Sequence, residues 1–185
     1  GAVARTQALF KPGNDPEFFK SAMIKYETGA ISTEIFINAL LSQCPHTIQA
    51  LDIIQVWNSM LIGIPGHRLE LLLALRKSYS VYLLSNTCAL HLDWTHRYMK
   101  ATYGVHDFEQ TYFNGAYYSH LLQNRKPDEA YFRKVINHAS IRPAESLFMD
   151  DIAANIETAS RMGFQTHLVE PGDEIGEYLT ERGMI

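Results

Sequence analysis

The chain has 185 residues, of which 46% are hydrophobic and 19% charged, and its formal net charge is −4. This length suits one compact domain or a core with a small added unit. The net negative charge argues against the basic surface that nucleic-acid binding needs. No stretch approaches the ~20 apolar residues of a membrane span, and the N-terminal residues have no apolar run of signal-peptide length. Two cysteines, Cys44 and Cys88, do not make a disulfide framework. We therefore expect a soluble, cytoplasmic protein that binds neither nucleic acid nor membrane.

The first ~65 residues have the pattern of helices alone, because apolar residues recur there at helical spacing. The pattern predicts helices over 16–29, 32–44 and 47–61. Ser32 and Thr47 are the expected N-caps of the second and third helices. The Gly-Ile-Pro-Gly run at 63–66 then interrupts the helical pattern.

Helices and strands alternate in the rest of the chain. Helices are predicted over 67–77, 90–104, 128–140, 152–163 and 173–183, and strands over 81–86, 115–120, 146–150 and 165–169. Such alternation is typical of βαβ units, and it predicts an α/β fold with a parallel sheet covered by helices on both faces. Ligands bind such sheets beyond the carboxyl ends of the strands, so polar residues at those ends are the candidates for a functional site.

Ser85 and Asn86 end the first predicted strand of the alternating part. A hydroxyl and an amide at this place can bind an anion together with backbone N–H groups, although helix capping by Asn86 or Thr87 explains the residues equally well.

Lys126 precedes Pro127, whose ring restricts Lys126 to extended conformations. Its ammonium could neutralise a phosphate or a carboxylate. Taken alone, Lys126 is better explained as a solvated loop residue.

Asp150 ends the predicted strand 146–150, Asp151 directly follows it, and Asn155 lies in the next helix. Asp151 and Asn155 are four residues apart, which predicts that they share a helix face. A few hard oxygen ligands with room for water and phosphate suit Mg²⁺. A capping carboxylate pair without metal is the open alternative at this point.

The order of these three sets resembles the haloacid dehalogenase-like (HAD) superfamily, a group of mostly Mg²⁺-dependent phosphatases on a Rossmann-like sheet. The stretches that carry the resemblance are KYETGAIS, WNSMLIGIP, VYLLSNT, YYSH, RKPDEAYF and FMDDIAANIETASRMG. They are most similar to the branch that holds bacterial α-glucose-1-phosphatase-like enzymes and the N-terminal phosphatase domain of soluble epoxide hydrolase. The resemblance implies a helical C1-type cap over residues 1–62 and a Rossmann-like core over 63–185.

The resemblance also implies roles for the polar residues at the strand ends. Ser85 and Asn86 would bind the phosphoryl group, and Lys126 would neutralise charge that gathers in the transition state. Asp151 would ligate Mg²⁺, while Asp150 would hold Lys126 or a metal-bound water and Asn155 would support that shell. All three residues are candidates for the metal site, and which of them is the direct ligand stays open. The substrate would be a small phosphorylated metabolite, above all a sugar phosphate, and the protein would be a monomer or a weak dimer.

One motif of the superfamily is missing from this sequence. Its first strand ends in Asp-x-Asp, where the first Asp is the nucleophile, and the printed residues contain no Asp-x-Asp. Asp15 is no substitute, because a Gly-Asn pair precedes it and Pro16 follows it. A core without this strand would leave buried backbone groups unpaired, each at a cost of about 1–3 kcal/mol. We therefore expect the strand upstream of Gly1. A non-catalytic HAD-fold binding protein and a metal-independent haloacid dehalogenase are the alternatives.

Overall fold

The computed structural model describes residues 16–185, so Asp15 and the beginning of the predicted cap lie outside the described residues. The helices are α1 (Pro16–Glu27), α2 (Thr33–Leu41), α3 (Ala50–Asn58), α4 (Gly66–Leu75), α5 (Ala89–Tyr103), α6 (Phe108–Tyr112), α7 (Ser119–Leu122), α8 (Glu129–Ala139), α9 (Ala153–Arg161) and α10 (Ile175–Glu181). The strands are β1 (Tyr82–Ser85), β2 (Gly115–Tyr118), β3 (Leu147–Asp150) and β4 (Gln165–Leu168), and a 3₁₀ turn covers Pro143–Glu145. None of the helices within residues 16–185 is long and apolar enough to cross a membrane.

The predicted mixed α/β class with parallel strands is confirmed. β1 pairs with β2 and β3 pairs with β4, both in parallel, with Leu84 opposite Tyr117 and Phe148 opposite Thr166. Among residues 16–185 these are two separate two-stranded ladders, and no described strand joins β1 to β3.

Several element ends differ from those predicted from the sequence, the start of α3 and the end of the second strand among them. Helix α3 begins at Ala50 instead of Thr47, because the Asp52 carboxylate accepts a hydrogen bond from the Gln49 N–H at 2.8 Å and so caps the helix there. The strand predicted over 115–120 ends at Tyr118, and Ser119 already begins α7.

The chain forms two compact units, each built from separated segments. Within the described residues the first unit comprises 16–64, 86–108 and 119–123, and the second comprises 65–85, 109–118 and 124–185. The division into domains at 62/63 remains a prediction, since these units are defined by compactness alone.

The first unit has an aromatic core. Tyr26 stacks on Phe36 at 4.3 Å between ring centroids, and Trp57 meets Phe36 edge-on at 4.8 Å. Cys88 is fully buried in the same cluster and accepts a hydrogen bond from Trp57 Nε1 at 3.4 Å.

The second unit packs helices α8 and α9 against β3. Its core cluster contains Phe132, Phe148, Ala159 and Phe164. Phe132 on α8 meets Phe148 on β3 edge-on, with 5.3 Å between the ring centroids. This packing places the loop before α8, which carries Lys126, near the carboxyl end of β3.

Candidate active site

The alternation of side chains along β3 separates the two adjacent carboxylates. Successive residues of a strand face opposite sides, so Phe148 and Asp150 share one face, and both are buried, with 8% and 9% of their surfaces exposed. Asp151 follows the strand and is exposed. The two like charges that the sequence places side by side therefore have different environments.

Asp150 accepts three hydrogen bonds. Its Oδ2 accepts from Lys126 Nζ at 2.6 Å, while its Oδ1 accepts from Asn155 Nδ2 and from the Ile152 backbone N–H, both at 2.9 Å. Asn155 is itself only 2% exposed. A buried carboxylate is costly unless it is paired and hydrogen-bonded, and here both of its oxygens are satisfied.

Lys126 is a buried residue, contrary to the solvated loop lysine that its position alone would favour. It is 8% exposed, and its Nζ donates to the Leu84 carbonyl at 2.8 Å as well as to Asp150. The ammonium also lies 5.6 Å from the centroid of the Phe148 ring. Lys126 thus connects the carboxyl end of β1 to the carboxyl end of β3.

Ser85 is the last residue of β1 and lies opposite Tyr118 of β2. The neighbouring residue, Leu84, is the one whose carbonyl binds Lys126. The structure therefore brings Ser85, Lys126, Asp150 and Asn155 to the carboxyl ends of parallel strands, the place where ligands bind such sheets.

The segment after Ser85 belongs to the first unit, where Ser119 fixes its backbone. The fully buried Ser119 hydroxyl accepts from the Thr87 N–H and donates to the Thr87 carbonyl, both at 2.9 Å. Asn86 directly precedes this fixed residue, and its predicted role in anion binding remains a prediction.

The oxygen donors of the described residues fit one particular kind of Mg²⁺ site. Helix α9 begins at Ala153, so Asp151 lies before the helix and the four-residue spacing does not place it on a helix face with Asn155. Asp150 accepts from Lys126 and from the amide nitrogen of Asn155, whereas Asp151 is an exposed carboxylate. Within residues 16–185 no group of three His, Cys, Asp or Glu side chains could hold a metal. Mg²⁺ often binds through one or two carboxylates while water and phosphate complete its shell, and the described donors fit a site of that kind.

One further residue of this region, Tyr131, was missed by sequence reasoning. It is fully buried on α8, and its hydroxyl donates to the Tyr117 carbonyl of β2 at 2.5 Å. Burial raises the pKa of Tyr131, and the nearby Asp150 charge adds to that increase. In the sequence Tyr131 belongs to the apolar stripe of a helix, so nothing distinguishes it from an ordinary core aromatic.

Comparison with known proteins gives relatives along most of the chain. The chain is 31% identical over 156 residues to the D-ribitol-5-phosphate phosphatase of Bacteroides thetaiotaomicron, which covers 83% of this chain and 74% of the relative. A HAD family enzyme from the same organism, solved as a magnesium complex, matches with a TM-score of 0.85 and 29% identity, covering 96% of this chain and 88% of its own. A HAD-like family hydrolase from Porphyromonas gingivalis matches with a TM-score of 0.80 and 26% identity over 98% of this chain and 84% of its own. No protein-family model matches the chain.

Proposed function

This chain belongs to the haloacid dehalogenase-like (HAD) superfamily of hydrolases, and we propose that it is a Mg²⁺-dependent phosphatase acting on a small phosphorylated polyol or sugar. The observation that carries the proposal is the buried Lys126–Asp150 pair, which holds an ammonium at the carboxyl ends of β1 and β3. The substrate class is supported by the D-ribitol-5-phosphate phosphatase, which shares 31% of its aligned residues with this chain.

Lys126 supplies a fixed positive charge in this reaction. Its Nζ is held by the Leu84 carbonyl and by Asp150, so the charge is in place before a phosphate arrives and needs no reorganisation during the reaction. Asp150 acts by positioning Lys126, since both of its oxygens accept hydrogen bonds from protein groups. This favours a role for Asp150 in holding Lys126 over a role in holding a metal-bound water.

Ser85 is proposed to donate a hydrogen bond to a phosphoryl oxygen at the end of β1, with Asn86 beside the same group. Asp151 would hold Mg²⁺, which when bound neutralises phosphate charge, and Asn155 would keep Asp150 in place through its amide. In phosphomonoester hydrolysis the bond between phosphorus and the ester oxygen breaks, and water supplies the oxygen of the released phosphate.

The proposal has one condition. The nucleophilic Asp-x-Asp that the superfamily resemblance implies is absent from the 185 printed residues, so it has to come from elsewhere in the natural protein. Determining the intact mass and N-terminal sequence of the natural protein would test that condition directly.

The activity is tested with the full-length natural protein, a set of polyol and sugar phosphates, and a set of 2-haloacids, each with and without Mg²⁺. We expect release of inorganic phosphate that requires Mg²⁺ and is fastest with a five- or six-carbon phosphate. A well-folded sample that releases phosphate from no phosphomonoester would contradict the proposal. Halide release without metal would instead support a dehalogenase.

A further inference from the structure

The Ser119 hydroxyl binds both backbone groups of one residue in the first unit. It accepts a hydrogen bond from the Thr87 N–H and donates one to the Thr87 carbonyl, both at 2.9 Å, and Ser119 is fully buried. The Thr87 N–H belongs to the planar peptide that also contains the Asn86 carbonyl, and the Thr87 carbonyl belongs to the next peptide. A single side chain therefore fixes the two peptide planes on either side of the Thr87 Cα.

The two groups that Ser119 binds are those that a neighbouring strand would bind. The last pair of the β1–β2 ladder is Ser85 with Tyr118, and α7 begins at the next residue, Ser119. The backbone after Tyr118 is therefore helical and cannot continue the ladder. The Ser119 hydroxyl takes its place for Thr87, two residues after Ser85 in the chain.

Asn86 is the residue whose position depends on this contact. It directly precedes Thr87, and its carbonyl lies in the peptide plane that Ser119 holds through the Thr87 N–H. We propose that Ser119 is a positioning residue of the phosphatase, which holds Asn86 in the orientation that reaches the substrate phosphate. This inference rests on the proposed function, because that function places Asn86 beside the phosphoryl group. A misplaced group at a reacting centre lowers turnover steeply.

The backbone next to Ser119 lies directly against a glycine of the same unit. Gly29 has a φ of 68°, and a Cβ added there would overlap the backbone carbonyl oxygen of His120, the residue after Ser119. Only a residue without a side chain allows so close an approach. The loop after α1 therefore limits where the Ser119 backbone can lie, and with it the contact to Thr87.

The first test compares Ser119→Ala with Thr95→Val in the full-length natural protein. Thr95 is the matched control, because its hydroxyl also lies in the first unit and donates to a backbone carbonyl, that of His91, at 2.9 Å. We expect Ser119→Ala to lower kcat/KM about tenfold and to weaken competitive inhibition by inorganic phosphate to a similar extent, the effect of one hydrogen bond. Thr95→Val should change both by less than about twofold. Unchanged kinetics of Ser119→Ala in an active enzyme would overturn the inference.

A second pair of variants disturbs Ser119 without removing its hydroxyl, so it tests the inference even if Ser119→Ala fails to fold. Gly29→Ala and Gly104→Ala have nearly the same backbone strain, since φ is 68° and 67°, but an added Cβ meets nothing within 4 Å at Gly104. Gly29→Ala should lower kcat/KM and phosphate binding as Ser119→Ala does, whereas Gly104→Ala should lower only the unfolding midpoint. Kinetics of Gly29→Ala equal to those of Gly104→Ala would overturn the inference.

A double-mutant cycle shows whether Ser119 acts through Asn86. If it does, adding Ser119→Ala to Asn86→Ala should lower kcat/KM by less than about twofold further. A purely structural role would give independent losses that multiply, and that outcome would overturn the inference while leaving the proposed function intact. A wild-type protein that neither hydrolyses phosphomonoesters nor binds inorganic phosphate would overturn the proposed function, and this inference with it.

Discussion

The Asp150 carboxylate is satisfied by three donors that come from three places in the chain: a loop lysine, a helix asparagine and the backbone of Ile152. From the sequence, Asp150 and Asp151 are two like charges that need a cation, and Lys126 can be suggested as that cation only through the family resemblance. The period-two geometry of a strand could have been used to predict that one carboxylate points inward and the other does not. The contact of Lys126 with the Leu84 carbonyl could not be predicted, because no sequence pattern reports which backbone group a side chain will reach.

Replacing Lys126 by methionine removes the charge while keeping most of the side-chain volume. Asp150 would then be a buried carboxylate without its cation, and breaking a buried pair in this way costs about 3–5 kcal/mol of unfolding free energy. We also expect phosphatase activity to fall by about 100-fold or more, since a preorganised charge at the phosphate is lost. Urea unfolding and initial rates measure the two effects.

Lys77→Met is the control for this substitution. Lys77 is exposed and belongs to the same unit, so losing its charge should change the unfolding free energy by less than about 0.5 kcal/mol and leave activity unchanged. Equal stability of the Lys126→Met variant and the wild type would show that the ion pair does not stabilise the fold as we argue.

His91 gives a prediction about pH. Its ring stacks on Trp57 at 5.2 Å and its Nε2 lies 3.2 Å from the Trp57 carbonyl, and burial lowers its pKa below the ordinary value of 6.5. Below about pH 6.5 the unfolded chain therefore binds a proton at this residue more readily than the folded chain does. Protonation then favours unfolding, so the free energy of unfolding decreases as the pH falls. The contribution of His91 is constant above that range.

The check is urea unfolding between pH 7.5 and pH 5 on wild type, His91→Gln and His106→Gln. Glutamine can still donate to the Trp57 carbonyl but does not titrate, so His91→Gln should lose less stability across this range than wild type. His106 is exposed, and its replacement should leave the slope unchanged. Parallel slopes for all three proteins would contradict the prediction.

At the scale of elements, the apolar periodicity predicted most helices and strands, and the differences lie at their ends. α3 begins at Ala50 because the Asp52 carboxylate caps it at Gln49. Thr47 is another plausible N-cap, and the apolar periodicity does not distinguish the two positions. The five-residue helix α6 was not predicted, because it is too short to show an apolar period. The parallel pairing was predicted from the alternation of helices and strands, since such connections favour parallel neighbours.

The glycine that ends α5 gives a prediction at this scale. Gly104 has a φ of 67° and caps the helix in the left-handed region, where an L side chain is strained. Gly104→Ala should therefore cost about 1–2 kcal/mol of unfolding free energy. Gly176 lies within α10, where alanine is the better helix former, so Gly176→Ala should stabilise by about 0.5–1 kcal/mol.

An added Cβ meets nothing within 4 Å at either glycine. The opposite changes in unfolding free energy expected for the two variants would therefore come from backbone conformation alone. Chemical denaturation of the two variants beside wild type is the measurement. Destabilisation by both alanines to the same degree would mean that crowding, and not the left-handed conformation, decides the effect.

At the scale of the whole molecule, the function was predicted from the order along the chain of the motifs that contain Ser85, Lys126 and Asp150. Ser85, Lys126 and Asp150 are far apart in sequence, and only a parallel α/β core makes their meeting expected. The division of the chain into two units built from separated segments could not be predicted in the same way. Ala89–Tyr103, for example, has an ordinary amphipathic pattern, and nothing in that pattern indicates that it groups with the N-terminal helices.

Metal and phosphate binding should be visible in the stability of the full-length natural protein. A ligand that binds only the folded state stabilises it by about 2.7 kcal/mol at 100 times its Kd, which for a protein of this size raises the melting temperature by roughly 5–10 °C. We expect Mg²⁺ and inorganic phosphate together to raise the melting temperature of the wild type.

Replacing Asp151 tests whether that stabilisation involves the proposed metal site. Asp151 is the exposed carboxylate at the end of β3, so Asp151→Asn should remove most of the Mg²⁺-dependent shift while leaving the metal-free melting temperature close to that of wild type. Glu157→Gln is the control, because Glu157 is an exposed carboxylate of the following helix α9 and should keep the full shift. A full Mg²⁺ shift in Asp151→Asn would place the metal on other ligands, whereas no shift in the wild type would favour a metal-independent protein of the same fold.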